Sequence, residues 1–114
     1  MKNNLSGRVL VTGSSGYIGT ALCNRLEKNN INYLGVDKID NASPFHRCLD
    51  LCHEEETHNL LNDYKPEIIY HCGTYSAGDY QRDFLKSYES DSKSLINILS
   101  FIVNNGNKTK LIFF

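Results

Sequence analysis

Apolar positions along this chain change their period several times, and each change marks a new element. Arg8-Val9-Leu10-Val11-Thr12 is a short apolar run that ends in glycines, which predicts a buried strand. Ile18, Leu22 and Leu26 then recur at four-residue spacing with Ala21 beside them, one stripe of a helix that Asn29 and Asn30 stop. Asn32 to Asp37 reads as a second strand closed by an acidic residue, and Asn41, Ser43 and Pro44 mark a loop. Phe45 to Leu49 is a brief third strand, with Asp50 at its end.

Glu54, Glu55 and Glu56 sit where a helix dipole favours negative charge, ahead of Leu60, Leu61 and Tyr64. Pro66 breaks that helix before the strand from Glu67 to Cys72. Gly73 to Asp79 reads as a polar loop, and a long helix follows with Phe84, Tyr88, Leu95, Leu99 and Ile102 on its apolar side. Asn104-Asn105-Gly106-Asn107 ends that helix, and Leu111 to Phe114 forms a fifth strand. Strands alternating with helices predict an α/β fold: a parallel sheet with right-handed crossovers and helices on both faces.

Length and composition narrow this picture rather than change it. The 114 residues suffice for one domain, taken as residues 1–114, with no room for a separate substrate domain. A net charge of -1, with Lys and Arg scattered singly, gives no field to recruit nucleic acid. No apolar run approaches the roughly 18 residues that span a bilayer. Met1 to Gly7 lacks the layout of a secretory signal, so a cytoplasmic location with four reduced cysteines is expected. His46, Cys48, Cys52, His53 and His58 crowd one segment, but their spacing is not that of a zinc knuckle. We read them as buried small hydrophobes and surface imidazoles, and expect no metal site.

Candidate chemistry concentrates in Thr12-Gly13-Ser14-Ser15-Gly16-Tyr17-Ile18-Gly19, between a predicted strand and a predicted helix. In such a turn Gly13 permits the tight bend, Gly16 lets backbone approach a pyrophosphate, and Gly19 lets helix and strand pack closely. The first N–H groups of the helix face the phosphates, and Ser14 and Ser15 offer side-chain donors. Asp37 closes the next strand, where a carboxylate accepts hydrogen bonds from the adenosine ribose. That carboxylate repels a 2′-phosphate, which favours NAD over NADP; Lys38 beside it is a cation that softens the repulsion.

The Thr-Gly-x-x-Gly-x-x-Gly spacing after Val9-Leu10-Val11 resembles the extended short-chain dehydrogenase/reductases, in particular their NAD-dependent epimerase/dehydratase branch. The resemblance runs from Val9 to Phe114. It implies a Rossmann-type, doubly wound parallel sheet of about five strands in the order 3-2-1-4-5, incomplete at its C-terminal side. Asp50-Leu51 resembles the family's Asp-Leu or Asp-Ile pair, which implies an acid in contact with the adenine, although position alone also suits a helix N-cap. His71-Cys72-Gly73-Thr74 resembles its His-Leu-Ala-Ala segment, which implies Cys72, Gly73 and Thr74 beside the cofactor and His71 ordering the strand end.

Asp91-Ser92-Lys93-Ser94-Leu95-Ile96-Asn97 resembles the family's Asn-Val-x-Gly-Thr-x-Asn, with Asp91 in place of Asn and Ser94 in place of Gly. A carboxylate on the apolar side of a helix is costly unless paired or hydrogen-bonded, so Asp91 either keeps the Asn's bonding role or marks a diverged site. The family's catalytic Ser or Thr and Tyr-x-x-x-Lys pair have no counterpart in the chain. Tyr33 to Lys38 and Tyr88 to Lys93 each have one residue too many, so we assign no catalytic residue.

Two functional readings stand. One is the NAD-binding part of a nucleotide-sugar epimerase or dehydratase, not catalytic as this chain alone. The other is a non-catalytic NAD-binding sensor or assembly subunit, with homo-oligomer contacts expected along the long helix or at an exposed edge strand. Leu111 to Phe114 as an apolar sheet edge suggests part of a longer enzyme or a shortened gene product, and a truncated sheet also suggests marginal stability. Phe113 and Phe114 capped by the chain's own residues would argue against the longer-enzyme idea.

Overall fold

The computed structural model describes residues 8–40 and 43–114; the polar segment Met1–Gly7 and the loop residue Asn41 lie outside the described residues. The elements in chain order are β1 (Val9–Thr12), α1 (Tyr17–Lys28), β2 (Tyr33–Asp37), β3 (His46–Cys48), α2 (Glu54–Tyr64), β4 (Ile68–His71), α3 (Ala77–Arg82), α4 (Phe84–Asn104) and β5 (Lys110–Phe113). The strands form one five-stranded sheet in the order β3-β2-β1-β4-β5, with every neighbouring pair parallel. That is the expected Rossmann-type order. Thr12 lies beside Val36 on one side and His71 on the other, so the C-terminal ends of β1, β2 and β4 are level. Ligands in such sheets bind beyond those ends, where the winding direction reverses.

The central strand has no solvent face. Val9, Leu10, Val11 and Thr12 are all fully buried, which explains a continuous apolar run in place of alternation. Leu10 joins Leu61, Ile69, Ile98 and Phe101 in a core under α2 and α4, while Val9 and Val11 join Cys23 and Leu26 under α1. Helix ends follow the sequence closely. At the end of α1 the Ile31 N–H donates to Leu26 O and the Asn30 N–H to Glu27 O, with Asn30 at φ 56. The end of α4 repeats the motif with Gly106 at φ 76.

Four sequence expectations need correction. The face of α1 against the sheet carries Gly19, Cys23 and Leu26, whereas Ile18 and Ala21 are exposed. A glycine at position 19 brings the helix so close that the contact face shifts by one residue. In α4 the buried residues are Ser87, Ser94, Asn97, Ile98, Phe101 and Ile102, while Phe84, Tyr88 and Leu99 are exposed. Apolar side chains occur on two faces of α4, and only the face with small Ser87 and Ser94 approaches the sheet. The segment from Gly73 to Asp79 is not loop throughout, because Ser76 and Asp79 form a reciprocal capping box that starts α3. Cys48 is exposed rather than buried, since β3 is a short edge strand of three residues.

Candidate functional site

The turn after β1 is built almost wholly from backbone. The Gly13 and Ser14 N–H groups both donate to Val36 O, and the Gly16 N–H donates to Gly13 O. Gly13 holds φ +65, and a Cβ there would lie 2.6 Å from Gly73 Cα, so the two loops touch main chain to main chain. A Cβ on Gly19 would come within 2.0 Å of Gly13 O, so α1 seats directly on the turn. No side chain caps the N-terminus of α1, and its first turn carries no acidic residue. Unsatisfied helix-start N–H groups of this kind favour an anion.

Asp37 reaches back onto this turn. Its Oδ2 accepts from the Ser15 N–H at 3.0 Å and its Oδ1 from the Ile39 N–H at 3.1 Å. These bonds orient the carboxylate at the end of β2 and leave further lone pairs for hydroxyl donors. Asp50 lies at the end of the β3 loop. Its Oδ1 accepts from the Cys52 N–H at 3.0 Å, and the α2 N-cap is His53, so Asp50 does not cap the helix. Burial pushes its pKa up, but the bond from Cys52 and the charges of His53 and Lys38 outweigh that and hold it below the usual carboxylate value. Leu51 O is fixed by Asn97 Nδ2 at 2.7 Å and by the Thr57 hydroxyl at 3.2 Å. Asn97 therefore ties α4 to the β3 loop.

Gly13, Gly16, Asp37, Lys38, Asp50, Leu51, Cys72, Gly73 and Thr74 all line one cleft of about 320 Å³ beyond the strand ends. Tyr75, Ser90 and Ser94 line it too, and none of these was foreseen as a site residue. Ser14 is turned away: its Oγ lies 3.2 Å from His46 Nδ1, in a separate hollow of about 530 Å³ behind the turn. Gly35 makes room for it, since a Cβ there would lie 2.6 Å from Ser14 Cβ. Ser15 lines that same hollow. The side chains of Tyr17 and Ile18 are exposed.

Asp91 does not line the cleft, but it holds Tyr75, which does. Its Oδ1 accepts from the Tyr75 N–H at 3.1 Å, and its Oδ2 accepts from the Tyr80 hydroxyl at 2.6 Å. The carboxylate thus keeps a hydrogen-bonding role and pins the loop after β4 to α4. Tyr80 is pushed up to about 12, first by its hydrogen bond to Asp91. At the strand end, Thr12 Oγ1 lies 2.7 Å from His71 Nδ1 and accepts from the Gly73 N–H at 3.0 Å. Burial lowers the pKa of His71, opposed by the nearby Asp91, so the ring is neutral and orders the strand end. Cys52 and Cys72 are raised chiefly by burial, so both stay thiols at neutral pH. Among the described residues no three His, Cys, Asp or Glu side chains gather as metal ligands, and no helix is long and apolar enough to cross a membrane.

A glycine cradle, an open helix N-terminus and an acid at the end of β2 fit a dinucleotide, and they define a dinucleotide-binding α/β unit. Residues 9–114 match the NAD dependent epimerase/dehydratase family, and the chain belongs to that family. Among curated relatives, it is 32% identical over 95 residues to methionine adenosyltransferase 2 subunit beta of Xenopus laevis, covering 83% of this chain and 27% of that protein. The chain thus spans about a quarter of the length of the curated relatives it matches. Among solved structures, L-threonine 3-dehydrogenase from Trypanosoma brucei superposes with TM-score 0.84 at 19% identity, over 93% of this chain and 35% of that one. UDP-glucose-4-epimerase from Stenotrophomonas maltophila, solved with bound NAD, gives 0.77 at 22% identity, over 94% and 36%. These two show the shared fold.

Proposed function

We propose that this chain is a dinucleotide-binding unit that prefers NAD to NADP and holds the cofactor without itself carrying out hydride transfer. The observation that carries the reading is Asp37, whose carboxylate is fixed by the Ser15 and Ile39 N–H groups at the mouth of the glycine cleft. Ribose hydroxyls donate to such a group, whereas a 2′-phosphate is repelled by it. When bound, NAD supplies a hydride acceptor. The chain's own residues bind and orient it: the turn from Gly13 to Gly19 receives the pyrophosphate, Asp50 and Leu51 the adenine, and Cys72, Gly73 and Thr74 the opposite end. No Tyr-x-x-x-Lys pair exists in the sequence, so the role assigned to these residues is binding.

Calorimetric titration with NAD and NADP tests this. Asp37→Ala weakens NAD binding about tenfold or more and narrows the gap to NADP, because a charge-assisted acceptor and a like-charge repulsion both vanish. Failure of the unaltered protein to bind either dinucleotide at millimolar concentration sinks the reading.

A second reading, membership of an assembly, has support of its own. The Xenopus laevis relative is a subunit by name, and α4 presents Leu85, Tyr88, Ile96, Leu99 and Val103 to solvent. Apolar stripes of that extent mark protein contacts. Sedimentation at rising concentration distinguishes its forms: self-association that Leu99→Lys abolishes indicates copies of the chain, and a strict monomer indicates an unlike partner or none.

A further inference from the structure

Lys38 is the only cation among the described residues lining the cleft, which it shares with the carboxylates of Asp37, Asp50 and Asp79. A lysine next to the β2 acid is placed to offset the repulsion between Asp37 and an additional phosphate on the ribose. Here the ammonium is engaged elsewhere. Lys38 Nζ donates to Tyr75 Oη at 2.5 Å and lies 4.5 Å from the centroid of the same ring. Among the described residues it forms no ion pair with Asp37 or Asp50. The Tyr75 hydroxyl thus holds the cation although three carboxylates share its cleft.

The topology shows where this contact pulls. Lys38 follows β2 and Tyr75 follows β4, and these strands flank β1 on opposite sides. The bond therefore crosses in front of the end of β1, above the glycine turn. Both ends are anchored. The Tyr75 N–H is held by Asp91, and Lys38 O accepts from the Cys48 thiol at 3.5 Å. The Tyr75 hydroxyl is also the chief reason that the Lys38 pKa is raised, so the group is a full ammonium while the contact lasts.

We propose that Tyr75 is a cofactor-specificity residue, which keeps the Lys38 ammonium over the middle of the cleft and so withholds it from a 2′-phosphate beside Asp37. The inference rests on the dinucleotide reading of the cleft. Under it, Asp37 sets the NAD preference, and Tyr75 protects it by occupying the cation that, among the described residues, lines the cleft. Lys38 is a latent NADP determinant.

The test is calorimetry of the intact protein with NAD and NADP, comparing unaltered protein, Tyr75→Phe, Lys38→Gln and the double variant. Tyr75→Phe removes the hydroxyl that accepts from the ammonium and leaves only the weaker ring contact, and the ratio of the NADP to the NAD dissociation constant falls about tenfold, the size of one charge-assisted contact to phosphate. Lys38→Gln alone moves that ratio less than about twofold, because the held ammonium contributes little at the ribose. In the double variant the ratio returns to its original value. Should Tyr75→Phe fold poorly by thermal melting, Lys38→Arg gives the same direction, since a guanidinium keeps free donors after satisfying one phenol. Intact NAD binding with an unchanged ratio in Tyr75→Phe overturns this inference and leaves the dinucleotide reading standing. An equal gain for both cofactors also overturns it, because Lys38 would then serve the shared pyrophosphate. No binding of either cofactor by the unaltered protein overturns the dinucleotide reading itself.

Discussion

The two walls of the cleft are made of different material. The wall formed by β1, its turn and β2 is main chain held by main chain: Gly13 and Ser14 donate to Val36 O, and α1 rests on Gly13 O. The wall formed by the segments after β3 and β4 is held by side chains from distant sequence, with Asp91 gripping Tyr75 and Tyr80 and Asn97 gripping Leu51. A main-chain wall tolerates almost no added atoms and has little freedom to move. A side-chain wall can be retuned one residue at a time. Under the proposed reading the first wall receives the phosphates and carries Asp37, while the second holds Lys38 through Tyr75.

The largest expected effect attacks the main-chain wall. Gly19→Ala places a methyl group within 2.0 Å of Gly13 O, a backbone atom that cannot turn aside. We expect a loss of about 3 kcal/mol in urea unfolding and no dinucleotide binding. Near-native stability with binding intact would show that the turn is more compliant than its hydrogen bonds imply.

Asp91→Ala attacks the other wall and should cost less. It strips the acceptor from the Tyr75 N–H and the Tyr80 hydroxyl, for a loss of about 2 kcal/mol by the same measurement. Asp91→Asn, which restores an acceptor oxygen, recovers at least half of that loss. Equal damage from both variants would mean that charge, and not hydrogen bonding, holds the loop.

The smallest effect lies at the seam, where Thr12 of one wall meets His71 of the other. Burial lowers the His71 pKa below its ordinary 6.5, so the folded state binds this proton less readily than the unfolded chain does. Its neutral form therefore supports the fold above about pH 6.5, and that support is lost as the pH falls through 6.5 toward the lower folded value. His71→Gln should flatten the pH dependence of the unfolding midpoint between about pH 7 and about pH 5. A slope unchanged by the substitution would assign the dependence to other groups.

The legibility of the molecule in its sequence follows the same division. Gly13, Gly19 and Asp37 could be placed because each answers a local requirement: a positive φ, a contact without a side chain, a strand end. The helix stops at Asn30 and Gly106 were equally local. By contrast, Tyr75 was invisible, since nothing in its neighbourhood says that Lys38 lies across the cleft. Ser14 was misread because Gly35, twenty-one residues away in another strand, opens the space into which it turns. The stripe of α4 went astray because apolar periodicity ranks residues by size and character, whereas the buried face was selected by the small side chains of Ser87 and Ser94.

By itself, then, the sequence determined the alternation of strands and helices, the glycine turn and the acid that faces it. These are set within a few residues by backbone sterics and hydrogen-bond demand, which act before any distant contact forms. Only the tertiary structure decided which face of each helix is buried, that Asp91 positions a loop and does not line the cleft, and that Lys38 points at Tyr75. Those outcomes depend on distances between segments that are far apart in the chain, and they become definite only when β1, β2 and β4 are brought level in one sheet.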